Sequence, residues 1–548
     1  MGEEKKIKRR DYLKYTGAAI GGLVVGGALG YLLKPAEVIK ETVTAPGVTA
    51  TTTIEKTATI TAPGVERTVT ITATAPGTTV TVPPARPYEG VKITCLVHTG
   101  VQAGPWYAFK KDIKDLYGIE LEVVEAPPEE LYSKALLGLR SKPADYDIIQ
   151  WDTAWIGDFE PYLQPLDDYL KTKDFGYGDI LPAFRQFHDT WAGRVYGITL
   201  DGDTFMLYYR ADLWENPEER ANFKAKYGYE LRAPRTWKEV MDMAEFFTRK
   251  SGEKLAGKKL LKDFYGYADQ GKRGRVFRWY LHRWVPYNYA ALGKRPDYFD
   301  PDTMKPMINN EPSIKALKDM GDILKYSPPG VLGFEWTELF TAAMKDSTIA
   351  IWIHWPDEGD RFADQLAPLP IESPPPPKLG FAPTPGVVGP DGQLYRATLI
   401  DTCWDMGIAK NSKNPDAAWA VVSFMARPDI ALERAMAPTP KCPSSNHDPF
   451  AYSQYNSIRW RAEKPWVGPF LDAELEALKT GYPMLKMPGA FEYLDTLDRY
   501  ISDYLAGVIK DPKEALDRTA DEWEKITDRL GRSTQKEYYK KMWEIAIF

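Results

Sequence analysis

Residues 146–159 read YDIIQWDTAWIGDF. An apolar run through Ile148 and Ile149 stops abruptly at Trp151-Asp152-Thr153-Ala154-Trp155, so a buried strand ends in two indoles and a carboxylate. On either side the pattern repeats. VKITCLV (91–97) reads as a short buried strand, and PWYAFKKDIKDLYG (105–118) has helical spacing and ends on Gly118. IELEVVEA (119–126) alternates as a strand does, and EELYSKALLGLRS (129–141) is again helical. Strands alternating with helices predict a parallel α/β sheet, in which ligands sit beyond the carboxyl ends of the strands. His98-Thr99-Gly100 and Trp151-Asp152 therefore fall on one rim. Strand alternation turns one of Trp151 and Asp152 toward the core and the other away from it.

The chain has 548 residues, too many for one ordinary core. Its apolar fraction of 44% and charged fraction of 27% are those of a folded protein. A net charge of -6 gives no bulk electrostatic reason to bind nucleic acid, and no nucleic-acid partner is expected. The 17 Trp and 32 Tyr have two readings, core packing or flat faces for stacking a ligand. The three cysteines, Cys95, Cys403 and Cys442, form no CxxC, and with no metal-ligand motif or P-loop present no cofactor or metal is expected.

The first residues read as an address. Lys5, Lys6, Lys8, Arg9, Arg10 and Lys14 precede TGAAIGGLVVGGALGYLL (16–33), an uncharged stretch. Eighteen helical residues span about 27 Å, close to the hydrocarbon core of a bilayer. The charge asymmetry puts the N-terminus in the cytoplasm and the rest outside. Residues 1–15 thus read as a cytoplasmic region that resembles a twin-arginine export signal, and 16–34 as a transmembrane signal or anchor. The favoured outcome is an uncleaved anchor on the extracellular face of the plasma membrane; cleavage would give a secreted protein. Residues 35–87 are Thr-, Val-, Ala- and Pro-rich, with TAPG recurring at Thr44, Thr61 and Thr74. They read as a linker or stalk, with a possible hairpin about Pro76-Gly77.

From residue 89 to 533 the ordered pieces resemble the extracellular solute-binding proteins of ABC importers, in the branch with maltose- and trehalose/maltose-binding proteins. YDIIQWDTAWIGDF with LQPLDDYL is similar to the family's strand, cleft loop and first-lobe helix. YGITLDGDTFMLYYRADLW (196–214) resembles the first crossover between lobes. IAIWIHWPDEG (349–359) resembles a second-lobe cleft loop, and CWDMGIAKNSKNPDAAWAVVSFM (403–425) the second crossover. DPKEALDRTADEWEKI (511–526) resembles the closing helix. The resemblance implies an α/β fold of two lobes joined by hinge crossovers, the periplasmic-binding-protein-like architecture, preceded by the membrane segment and stalk. Lobe 1 would take 88–199 and 408–438, and lobe 2 would take 200–407 and 439–548. It further implies a monomeric, non-enzymatic protein that captures a di- or oligosaccharide between its lobes and delivers it to permease subunits.

A sugar offers a C–H face for aromatic rings and a rim of hydroxyls for carboxylates. On that chemistry and the resemblance, the expected ligand residues are Trp151, Asp152 and Trp155 in the first lobe. Asp201 and Asp203 follow at the hinge, with Trp355 and Asp357 on the second-lobe loop. Trp404 lies at the second crossover, and Tyr493 in AFEY matches a position that in the family packs on sugar, with His98, Thr99 and Glu492 as further candidates. Asp203 has a second reading as a turn cap in DGD, and Asp405 is expected to face away from the ligand or cap. Cys403 and Cys442 both fall near crossovers in the implied fold and are expected to pair, leaving Cys95 as a buried thiol. Three other functions compete: a surface glycoside hydrolase using two carboxylates, a structural surface protein, and a binder of a peptide, polyamine or polyol.

Overall fold

A computed structural model describes residues 39–41, 52–62, 65–75, 86–400, 404–443 and 447–544. The chain divides into two units, Met1–Ala85 and Arg86–Phe548. In the first, strands Thr52–Ala62 and Val65–Ala75 pair antiparallel along their whole length, and Ile39–Glu41 adds to the free edge of Thr52–Ala62. Alternating Thr, Val and Ile favour this extended state. The turn and second strand of the hairpin expected about Pro76-Gly77 lie outside the described residues. The expected anchor (16–34) and cytoplasmic region (1–15) lie outside the described residues. Among the described residues no helix is long and apolar enough to cross a membrane.

The second unit opens as its periodicity predicts: β1 (Lys92–His98), α1 (Gly104–Tyr117), β2 (Glu120–Ala126), α2 (Pro128–Arg140) and β3 (Ile148–Asp152). Gly118 ends α1 in the left-handed region (φ 78°), its N–H donating to the Lys114 carbonyl. Two later strands, β4 (Ile198–Asp201) and β9 (Trp404–Ile408), complete a five-stranded sheet of order β2-β1-β3-β9-β4. Its first three strands are mutually parallel; β9 runs antiparallel to both neighbours.

A second sheet has the order β6-β7-β5-β8, made of β5 (Met206–Arg210), β6 (Tyr265–Ala268), β7 (Ile349–His354) and β8 (Leu379–Pro383). Helix α3 (Phe277–Leu292) and the C-terminal helices α4 (Ala490–Leu505) and α5 (Pro512–Leu530) accompany it. The chain leaves the first sheet after Asp201 and enters the second at Met206. It is back in the first sheet by Trp404, so that sheet extends two residues past 199 and begins four before 408.

The crossing segments touch one another. The Thr204 hydroxyl donates to the Leu399 carbonyl at 3.0 Å, and the Gly202 N–H to the Asp448 carbonyl at 3.1 Å. A Cβ at Gly202 would sit 2.1 Å from the Pro449 carbonyl oxygen, so only glycine admits that approach. Nine of the seventeen tryptophans are fully buried, Trp106, Trp237, Trp352 and Trp523 among them, which assigns most of the tryptophan excess to the core.

Candidate functional site

Where β3 and β9 end side by side, the register pairs Trp404 with Asp152 and Asp405 with Trp151. Opposite residues of an antiparallel pair share a face, so Asp152 and Trp404 point one way and Trp151 and Asp405 the other. The first pair opens onto a cavity of about 380 Å³. The second pair is fully buried behind the sheet, where Gly197 and Gly407 leave room for the Trp151 indole. Alternation thus resolves the choice at residues 151–152. Trp151 does not face the cavity, a correction to its expected role, and Asp405 faces away from it, as expected.

Four of the expected residues meet on the cavity wall: His98, Asp152, Trp155 and Trp404. Asp152 accepts the Ala154 N–H at 2.9 Å and caps the 3₁₀ turn Thr153–Trp155, which swings the Trp155 indole round to the same side. The Trp404 ring lies 4.9 Å from the His98 imidazole and 6.2 Å, edge to face, from Trp155. The His98 ring nitrogen Nδ1 is 2.6 Å from the Thr99 carbonyl, and its backbone N–H donates to the Gln150 side chain. One rim therefore carries a carboxylate, an imidazole and two indoles.

The facing wall comes from residues that pattern reading passed over. The amino end of α3 supplies Gly274, Arg275, Phe277 and Arg278; α4 supplies Phe491, Leu494, Asp495 and Asp498; Met484 completes it. The α4 set is spaced i, i+3, i+4, i+7, one face of a helix. Tyr493 and Glu492, the residues expected there, lie off that face. Tyr493 is buried between Phe299 and Trp523, with its hydroxyl 2.9 Å from that of Thr527. Glu492 is exposed and pairs with Arg529. Both are corrections, and the signal that finds Phe491 instead is helical spacing. Its ring is 70% exposed, an unusual state for a phenylalanine and an open stacking surface. Asp498 accepts the Gly274 and Phe277 amides and so caps α3.

The remaining candidates lie elsewhere. Trp355 is buried against Phe205 and Trp279, with the Arg275 guanidinium 6.0 Å above its ring; it supports a wall residue rather than forming wall. Thr99 is on the rim, its hydroxyl donating to Glu125 at 2.8 Å. Asp201 is buried at the crossover, where the Gln102 amide and the Asp448 N–H both donate to it, and burial pushes its carboxyl up to about 7. Asp203 and Asp357 share that region: both act electrostatically on Asp448, whose carboxyl is raised chiefly by burial. Asp357 accepts the Trp336 indole N–H at 3.1 Å. None of Asp201, Asp203, Trp355 and Asp357 is on the cavity wall. Among the described residues no cluster of His, Cys, Asp and Glu is arranged to hold a metal. The expected bridge involves Cys403, which lies outside the described residues; Cys442 is buried, as is the Cys95 thiol on β1.

The chain is similar to known proteins in sequence and fold. The family model described as bacterial extracellular solute-binding protein matches residues 102–431. A probable amino-acid ABC transporter periplasmic-binding protein of Sinorhizobium fredii is 25% identical over 348 residues, 63% of this chain and 70% of its own. Among solved structures, the maltose-bound MalE3 of T. maritima aligns with a TM-score of 0.60 at 22% identity, covering 80% of this chain and all of the other. An ABC transporter solute-binding protein of Agrobacterium radiobacter in complex with ribitol gives 0.61 at 21% identity, again with 80% and 100% covered. These structures share the two-lobed α/β fold, and with more than half of its length under the family model the chain belongs to the bacterial extracellular solute-binding proteins.

Proposed function

We propose that this protein is the solute-capturing component of an ABC importer and that its solute is polyhydroxylated, a sugar or a polyol. The observation that carries the reading is the cavity wall. The exposed Phe491 ring and the Trp155, Trp404 and Phe277 faces share about 380 Å³ with the acceptors Asp152 and Asp495. Aromatic faces take up C–H surface and carboxylates accept hydroxyls, the two demands of a sugar. The volume is near the lower end for ligand pockets, which suits a mono- or disaccharide better than a long oligosaccharide. The wall joins the rim of the first sheet to helices α3 and α4, which accompany the second, so closing the lobes over a solute completes the site.

Capture would take place outside the cell, with the chain held by residues 16–34 and the solute passed to permease subunits. The name of the Sinorhizobium relative makes an amino acid a second reading, and Arg275 and Arg278 on the wall are the observation in its favour.

A thermal-shift screen of the full chain against sugars, polyols and amino acids tests the proposal. Stabilisation by a sugar or polyol that Trp404→Ala and Phe491→Ala both weaken supports it. Hits that ignore both substitutions would move the site elsewhere, and release of cleaved sugar would favour the hydrolase reading.

A further inference from the structure

Residues 484–490 leave the second lobe and come back to it. Upstream, the Tyr482 ring lies 6.3 Å from that of Trp284 on α3, and its hydroxyl donates to the Pro296 carbonyl at 2.8 Å. Helix α3 is itself tied to the second sheet, where the Trp279 indole donates to the Ile353 carbonyl of β7 at 3.1 Å. Downstream, Tyr493 is held between Phe299 and Trp523. Between these two anchors the chain dips into the first lobe, and the side chain it buries there is Lys486.

First-lobe groups make the socket. The Lys486 ammonium donates to the Phe187 and Thr190 carbonyls at 2.8 Å each, and the residue is only 2% exposed. Asp189, between them in sequence, accepts the Thr199 hydroxyl of β4 at 2.7 Å, and Asp405 of β9 is the other carboxylate acting on the ammonium. The loop seats closely on the rim. A Cβ at Gly157, in the turn after Trp155, would sit 2.2 Å from the Pro488 nitrogen, and the Gly489 amide donates to Asp158.

An apolar plug would make a better permanent joint, because taking an ion out of water costs more than its partners usually return. A lysine suits a joint that parts: once withdrawn, the ammonium and the carbonyls it leaves are all hydrated. Two wall residues, Met484 and Phe491, stand at the ends of this loop, so parting the joint also parts the cavity wall. We propose that Lys486 is the catch of lobe closure: its ammonium docks on the Phe187 and Thr190 carbonyls when the lobes shut and withdraws when they open. This rests on the reading that the lobes close over a solute, and not on which solute it is.

Acetylation of the full chain at pH 8 by acetyl N-hydroxysuccinimide, without added solute and read by mass spectrometry, tests the catch. The exposed Lys510 gives the unhindered lysine rate. Alkylation of the Cys95 thiol, buried on β1, reports opening of the first lobe itself. Lys486 should react about tenfold or more slower than Lys510, yet its protection should be at least about tenfold weaker than that of Cys95 against a free thiol, because lobe opening is easier than unfolding. Gly157→Ala crowds Pro488 without touching the socket; it should raise the Lys486 rate about tenfold and leave Cys95 unchanged.

Protection of Lys486 as deep as that of Cys95 would make it a permanent structural lysine and overturn the catch. Labelling as fast as Lys510 would overturn it as well, since the socket would then be empty in solution. An unchanged Lys486 rate in folded Gly157→Ala would count against it in the same way, and should that variant fail to fold, the parent rates decide. The solute reading fails separately, in the thermal-shift screen, and its failure leaves these rates as they are.

Discussion

Glu358 offers a direct test of how the second lobe holds its buried charge. It is fully buried one turn beyond β7, where the Trp352 indole donates to one carboxyl oxygen and the other has no hydrogen-bond partner. His354 Nδ1 is 3.6 Å away, but burial lowers that imidazole to about 3, so it is neutral at working pH and the contact is not an ion pair. Burial is the main reason the Glu358 carboxyl is pushed from its ordinary 4.5 up to about 8, with the Asp357 charge adding to it. In the unfolded chain the group ionises near its ordinary value. Between the two values the folded state therefore binds the extra proton, and stability is lost as pH rises through the folded value. At about 1.4 kcal/mol per pH unit the loss between pH 5 and pH 8 is about 4 kcal/mol.

Glu358→Gln keeps the shape and cannot ionise. Denaturant unfolding of both proteins at pH 5, 6, 7 and 8 should show the variant gaining on the parent at each step and exceeding it at pH 8. Other buried acids, such as Asp201, contribute equally to both proteins, so the difference isolates residue 358. A difference that stays flat from pH 5 to pH 8 would refute the account of a protonated, desolvated carboxyl.

Three further outcomes are expected. Phe491→Ala should leave the melting temperature within about 1 °C, because the ring is exposed, yet weaken solute binding by about 0.5–1.5 kcal/mol, read by calorimetry. Gly202→Ala should destabilise by about 1–3 kcal/mol through the clash with the Pro449 carbonyl, while Gly252→Ala, strained only by its positive φ, should cost less; denaturant melts compare them. Lys486 donates to the Phe187 and Thr190 carbonyls at 2.8 Å each, with Asp405 and Asp189 nearby, and burial lowers it to about 8. Its contribution to stability should therefore rise with pH from about 8 toward 10.5. Lys486→Met should abolish that rise and speed amide exchange across 484–491, the segment bearing Met484 and Phe491.

Local periodicity carried the first half of the fold. Gly118 ends its helix where the reading put it, and the alternating elements from 91 to 152 lie within a residue or two of expectation, because each buries one regular face. The rim holding His98, Asp152 and Trp155 was equally legible, since strand ends beside aromatic residues fix it locally, whereas Trp404 joins it only through the pairing of β3 with β9. Only the packed molecule decided that Trp151 goes behind the sheet, because the pairing of β3 with β9 joins residues some 250 positions apart. The same holds for the far wall. Arg275 and Arg278 follow a glycine-rich loop with no motif, and Phe491 replaces Tyr493 because packing against α5 buries one face of α4 and leaves the other to the cavity. Short-range pattern determines which way a segment bends; which of its faces meets solute depends on what packs against the other side, and that partner is distant in the chain.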